Sequence, residues 1–420
     1  MRIVQAASFV APASGGIRTT LRHLAAGYAG AGHEVVQIVP GAADGEERTA
    51  HARIITLRAP LLPGTGYRVL AEPWRVAAVM EREHADRIEI HDRATLRPLG
   101  RWARRQGVRS LVVSHERLDR LLGLWTPAPL RGVLPVRAAA DRSNRALAAG
   151  FDTVVATTGW AATEFVRIGA RNLRQVPLGV ELDRFQPANH DRTLRRAFAR
   201  DREILIVAAT RLSPEKRVDI ALAAVAELVR RRVPVRLVIA GDGASRTRLE
   251  RLAAGLPVAF LGFVADPRRL AGLLATADLA FAPGPIETFG LAALEAMASG
   301  TAPVVHHASA LAELVADPAG DGAAGTSAAG TGFTFADAAL DLLSIDADRR
   351  RDAARARAEL FPWSATIDGF LRCHDLPAAA PATAVPAPVP ATPTAATATT
   401  GAGAAGGAPA AGPVSGPLAA

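Results

Sequence analysis

Short apolar runs separated by stretches of helical periodicity constrain this chain more than any other feature. RIVQAA at residues 2–7 is followed by Ile17, Leu21, Leu24, Ala25 and Tyr28 on one helical face, and then by EVVQIVP. That order is β-α-β. Further strands are predicted at RIITL, RIEIH, SLVVSH, DTVVATT and LRQVPLG, with helices over Pro73–Glu83 and Leu96–Arg105. A polar connector near Ala188–Arg202 precedes a second series, EILIVAAT, VRLVIAG, VAFLGFV, DLAFAP and TAPVV, each run leading into a helical pattern. Strands that alternate with helices pair in parallel, so the expected class is α/β, with two doubly wound parallel-sheet domains in tandem. The 420 residues also exceed what one core ordinarily serves.

Beyond Asp375 the composition shifts to Ala, Pro, Thr and Gly. Such a segment has too few large apolar groups to offset its ordering entropy, so residues 376–420 are expected to be disordered. Asp317–Gly332 is rich in small residues and reads as a loop. The single cysteine, Cys373, cannot close an internal disulfide, which fits a reducing compartment and a cytoplasmic protein. RIVQAASFVAP is too short for a signal peptide's apolar core with its flanks, and no apolar stretch reaches membrane-spanning length. The net charge of +9 suits either a solvated arginine-rich surface or attraction to an anionic membrane or a polyanionic substrate. Basic and aromatic residues are not interleaved as stacking platforms require, which argues against nucleic acid.

In open α/β sheets ligands bind beyond the carboxyl ends of the strands. Three loops there carry chemistry. In Ser14-Gly15-Gly16-Ile17-Arg18 paired glycines let amides approach an anion at a helix start; a tight turn explains them equally well. RLSPEKR, residues 211–217, holds the chain's only lysine. Pro214 suits the first turn of a helix, and Arg211 and Lys216 flank that turn, where two cations could hold a diphosphate. A surface lysine is the plain alternative. The third loop is PGPIETFGLAALEAMASG, residues 283–300, in which Phe289, Gly290 and Leu291 open a helix and Glu287 and Glu295 stand in an E-x7-E spacing. Amides at that helix start can take a second face of a diphosphate, and a carboxylate accepts two vicinal hydroxyls. Glu295 lies in a nearly apolar helix, where a buried charge needs a partner.

The combination of SGGIRT, SHERLD, RLSPEKR and PIETFGLAALEAMASGTAPVV closely resembles retaining glycosyltransferases of the GT-B fold, family 4, over roughly the first 370 residues. EIHDRATL, VVSHERLDR, VATTGW, VPLGVELDRF and APGPIETFGLAALEA look most similar to actinobacterial GDP-mannose-dependent α-mannosyltransferases acting on phosphatidylinositol mannosides, the PimC type. The resemblance implies two Rossmann-like domains facing a cleft. Residues 1–185 would form the acceptor domain, 186–202 a connector, 203–362 the donor domain and 363–375 a terminal helix crossing back. It further implies that Gly16 packs its amide against the donor diphosphate, that Arg211 and Lys216 neutralise it, and that Glu295 takes the ribose. Glu287 would contact the transferred sugar beside the amides of Phe289, Gly290 and Leu291. Gly262, Phe263 and Val264 would meet the nucleobase, and His115, ending SLVVSH, would hydrogen-bond the sugar near the reacting carbon. Without the resemblance His115 reads as a polar strand cap.

The implied reaction is hexose transfer with retention, mannose from GDP-mannose, to a lipid-linked or polyol acceptor such as a phosphatidylinositol mannoside. The nucleotide sugar is then a substrate, and neither cofactor nor metal is expected. His306 and His307 are adjacent on a strand, so their side chains should diverge. Leu178–Pro187 and Trp363–Leu371 would act as hinges. Residues 118–137, with Trp125, Arg120, Arg131 and Arg137, and the helix at 101–109 fit peripheral docking on an anionic inner membrane face or ordinary solvated helices. A UDP-sugar-dependent family 4 transferase, a nucleotide-sugar epimerase, a pyridoxal phosphorylase and a non-catalytic binder stand as alternatives, separated by donor preference, product sugar, absorbance and loss of activity on substitution.

Overall fold

The computed structural model describes residues 1–10, 15–62, 66–126, 134–316 and 322–378. Expectations for Ser14, the Trp125 side chain, Arg131, residues 317–321 and the tail beyond 378 fall outside these residues.

The first sheet comprises β1 (Arg2–Ala6), β2 (Glu34–Gly41), β3 (Gly45–Arg48), β4 (Arg53–Arg58), β5 (Arg87–Ile90), β6 (Arg109–Ser114), β7 (Thr153–Ala156) and β8 (Leu173–Gln175). Their order is β3-β4-β2-β1-β5-β6-β7-β8, parallel throughout except for the antiparallel β3–β4 pair. The second comprises β9 (Ile204–Ala209), β10 (Val235–Ala240), β11 (Val258–Gly262), β12 (Leu279–Ala282), β13 (Pro303–His306) and β14 (Thr326–Ala328), ordered β11-β10-β9-β12-β13-β14 and wholly parallel. Helices on both faces bury the central strands, which is why Leu205, Ile206 and Val207 run as a continuous apolar stretch.

Two elements differ from the sequence expectation. β3 is an exposed, charged edge strand, GEER, invisible to an apolar pattern. β14 lies within the stretch 317–332 read as a loop; its small residues pair with β13 at the sheet edge, where backbone hydrogen bonds suffice without large side chains. The polar connector contains a short helix, Arg192–Phe198, which Asp191 caps by accepting from the amides of Thr193 (2.7 Å) and Leu194 (3.2 Å).

The sheets reverse winding direction between β1 and β5 and between β9 and β12. Those are the switch points at which an open sheet leaves a crevice. The two chain crossings between the sheets run side by side, with the Val180 amide donating to the Phe361 carbonyl at 2.9 Å. After them the helix Trp363–Cys373 returns to the first sheet, where Phe370 and Leu371 pack with Leu24, Tyr28 and Val176.

Candidate active site

At the β9–β12 switch point two loops meet. After β9 the chain makes one 3-10 turn, Pro214–Lys216, passes through Arg217 in a left-handed conformation (φ 48°), and only then enters the helix Val218–Arg230. Pro214 therefore opens a short turn and not the α-helix itself, because the left-handed residue interrupts the ladder. After β12 the chain reaches Gly290, whose φ of +81° starts the helix Leu291–Ala298. A Cβ at Gly290 would lie 2.0 Å from Leu311 Cδ2, so only glycine fits. This geometry leaves the Leu291 and Ala292 amides without intrahelical acceptors at the helix start. Phe289 is buried and packs edge-on against Phe361, so its ring anchors the loop while its backbone lines it.

Lys216 and Glu287 are brought together: Nζ pairs with Oε1 across the two loops. Arg211 extends toward the first domain, where its guanidinium donates to the Tyr67 hydroxyl, lies 5.1 Å from the Tyr67 ring centroid and reaches Glu215 at 3.3 Å. Both cations thus have protein partners that an arriving anion must displace. The Glu295 carboxylate, one turn into its helix, has no hydrogen-bond or ion-pair partner among the described residues. Burial, reinforced by Glu181 and opposed by Arg184 and Arg22, pushes its carboxyl up to about 8. Nearby, a cleft of about 800 Å³ opens between the domains, lined by His23, Glu181, Arg184, Asn189, Arg268 and Trp363.

The remaining predicted residues sit farther out. Gly262 ends β11, two strands from β9, and Phe263 and Val264 follow it, with the Phe263 ring exposed. Gly16 begins the helix Gly16–Gly30, and a Cβ on it or on Gly15 would meet nothing within 4 Å. The backbone therefore does not require glycine there. His115 follows β6 and joins the second domain directly: the Thr288 hydroxyl donates to its carbonyl at 2.5 Å. Its imidazole is held neutral, down to about 3, by burial first and then by His91, with Glu89 opposing.

A family model for glycosyl transferases group 1 matches residues 191–358, and one for a glycosyl transferase 4-like domain matches residues 15–180. A Mycobacterium tuberculosis protein, GDP-mannose-dependent alpha-(1-6)-phosphatidylinositol dimannoside mannosyltransferase, is 47% identical over 368 residues, 86% of this chain and 93% of that one. The chain belongs to the group 1 glycosyl transferases. A second relative of this transferase, the GDP-mannose-dependent alpha-(1-6)-phosphatidylinositol monomannoside mannosyltransferase of Mycolicibacterium smegmatis, is 31% identical over 54% of this chain and 57% of its own. Among solved structures, sucrose-phosphate synthase from Thermosynechococcus elongatus superposes with a TM-score of 0.73 at 21% identity, covering 89% of this chain and 98% of that one. Anabaena HepE in complex with UDP and glucose gives 0.65 at 20% identity, covering 88% and 98%. These likenesses show the fold, GT-B.

Several residues of the transferase's site escaped the sequence reading. Tyr67 and Thr288 are single polar residues in loops with no pattern around them. The Thr288 carbonyl also accepts from the hydroxyls of Thr157 (3.3 Å) and Thr158 (3.0 Å), so one residue clasps both domains. Glu116, beside His115, is pushed up to about 7 by burial, against the pull of Arg93. His306 and His307 do not diverge: His307 lies past the end of β13, and the two rings are near parallel with centroids 5.0 Å apart. The alternation rule fails there because the strand has already ended.

Proposed function

We propose that this transferase moves mannose from GDP-mannose, with retention at the anomeric carbon, onto a lipid-linked phosphatidylinositol mannoside. The carrying observation is the 47% identity, over 86% of this chain, to a relative named for that donor and acceptor class. In this reading Arg211, Lys216 and the amides at the start of the helix Leu291–Ala298 hold the diphosphate. Glu287 leaves Lys216 for hydroxyls of the transferred sugar, and the unpartnered Glu295 takes the ribose. Gly16 offers open space for the diphosphate from the opposite side. Gly262, Phe263 and Val264 lie two strand spacings from β9, about 10 Å, which suits a nucleobase attached to a diphosphate at the switch point.

No carboxylate is placed as a nucleophile, so catalysis consists of positioning and charge stabilisation, with the departing phosphate assisting deprotonation of the acceptor. The cations and helix start take the part a divalent ion plays elsewhere, and neither metal nor cofactor enters this scheme. No helix among the described residues is long and apolar enough to cross a membrane. Contact with the acceptor lipid is then peripheral, at the inner face of the plasma membrane. Exposed Leu124 and Leu134, with Arg120 and Arg137, support docking there.

The test is calorimetric titration of GDP, UDP and GDP-mannose in EDTA, followed by transfer of labelled mannose to phosphatidylinositol dimannoside. GDP is expected to bind without metal, and Lys216→Ala to weaken it by roughly 10–100-fold, the loss of a charge-assisted contact. A preference for UDP overturns the donor; release of an altered sugar without acceptor favours the epimerase.

A further inference from the structure

Three polar residues stand at one register across the centre of the first sheet: Gln37 on β2, Gln5 on β1 and Glu89 on β5. All are buried. Gln37 donates to the Leu21 carbonyl (3.0 Å) and to the Gln5 amide oxygen (2.8 Å), which turns the Gln5 nitrogen toward Glu89 Oε1 at 2.8 Å. His91 Nε2 meets the same oxygen at 2.6 Å. On Oε2, the Tyr28 hydroxyl donates at 2.7 Å and His374 Nε2 lies at 3.0 Å. Four partners saturate the carboxylate, and the two histidines hold it ionised, well below the usual carboxylate range despite the burial cost.

A carboxylate with no solvent exposure requires a cation. Among the described residues touching it, two side chains, His91 and His374, can supply one. His374 has its Nδ1 sealed from solvent with no partner, so charging it would strand a buried N–H. His91 has both nitrogens engaged, because its Nδ1 lies 2.7 Å from His115 Nε2. The rings are 22° from coplanar with centroids 5.0 Å apart, the edge-to-edge geometry of an N–H···N bond. The compensating proton therefore belongs on His91. His115 must then accept at Nε2 and carry its own proton on Nδ1. That Nδ1 has no partner among the described residues and is not one of the sealed, unpartnered nitrogens.

We propose that Glu89 and His91 are positioning residues that fix His115 as its neutral Nδ1–H tautomer, presenting a hydrogen-bond donor to a sugar oxygen in the cleft. The arrangement rests on the mannosyl-transfer reading for the identity of that oxygen, but the tautomer does not depend on it. His374 joins the same carboxylate from the far end of the chain. The other titratable groups around Glu89 are Tyr28 and Cys373, both pushed up by burial, and His33, which lies near His374 and is pulled down by burial.

Glu89→Gln tests this directly. The amide can accept from Gln5 and His91 while donating to Tyr28 and to His374 Nε2, which removes the buried charge and moves the His374 proton to its sealed Nδ1. His91 then loses its proton from Nδ1, and His115 is expected to switch to Nε2–H. Ring nitrogen NMR of the histidine-labelled full chain reads this switch without any substrate. With GDP-mannose and phosphatidylinositol dimannoside, kcat is expected to fall about 10–100-fold while the donor KM stays within about twofold, as for loss of a preorganised donor. Adding His91→Asn places an amide donor where Nδ1–H stood, and is expected to return the Nδ1–H tautomer and most of kcat. An unchanged His115 tautomer in folded Glu89→Gln, or a double variant no better than the single, overturns the proposal. If neither wild type nor variants transfer mannose while the tautomer switches as expected, the donor and acceptor reading fails and the positioning role stands.

Discussion

Glu295 is the residue whose cost to the fold is easiest to read. Its carboxyl is pushed up to about 8, against about 4.3 in an unfolded chain, so the folded state holds a proton that the unfolded state releases. Stability contributed by that protonation is complete below about pH 4.3 and is lost as pH rises through 8. Glu295→Gln should therefore match wild type in melting temperature near pH 4 and exceed it increasingly toward pH 8.5, while weakening GDP binding. A constant difference across that range, followed by scanning calorimetry, contradicts the assignment. Residues of this kind were partly legible: a charge in the apolar run LAALEAMA signals itself, and so does a lone lysine in RLSPEKR. Tyr67 and Thr288 gave no such signal, because each matters only for what lies opposite it in a cleft that the sequence does not display.

At the scale of elements, alternation of apolar runs with helical periodicity was enough to find most strands. It failed at β3 and β14, edge strands held by backbone pairing and not by buried side chains. The polar ladder was present in the sequence as one polar residue inside each of RIVQA, VVQIV and RIEI, but its meaning depends on register, and register emerges only when the strands are aligned. The helix start at Gly290 rests on a tighter condition. Gly290→Ala combines a left-handed backbone with a Cβ 2.0 Å from Leu311, and should cost about 1–3 kcal/mol or more, seen as a lowered denaturation midpoint with reduced GDP affinity. Retained stability with retained affinity would mean that the loop can open elsewhere.

For the molecule as a whole, the two domains touch through a few polar contacts that no single-domain pattern foretells. Thr288 reaches the His115 carbonyl, Glu313 accepts from the Gly159 amide at 2.9 Å, and Arg211 rests on Tyr67. Contacts this sparse are expected to yield to ligand exchange. Thr288→Val removes one of them and should enlarge the radius of gyration measured by small-angle scattering in the free protein, with GDP restoring the compact value. An unchanged scattering curve would place the clasp elsewhere.

The returning helix Trp363–Cys373 also has a bearing on biosynthesis. It supplies Phe370 and Leu371, and the residue after it, His374, to the interior of the first sheet, whose strands are complete by Gln175. On a ribosome the amino-terminal half emerges long before these residues do, and until they arrive one apolar face and the Glu89 carboxylate lack their cover. Folding of the first half is thus finished by the last of the described helices, and a nascent chain must wait for that segment to emerge.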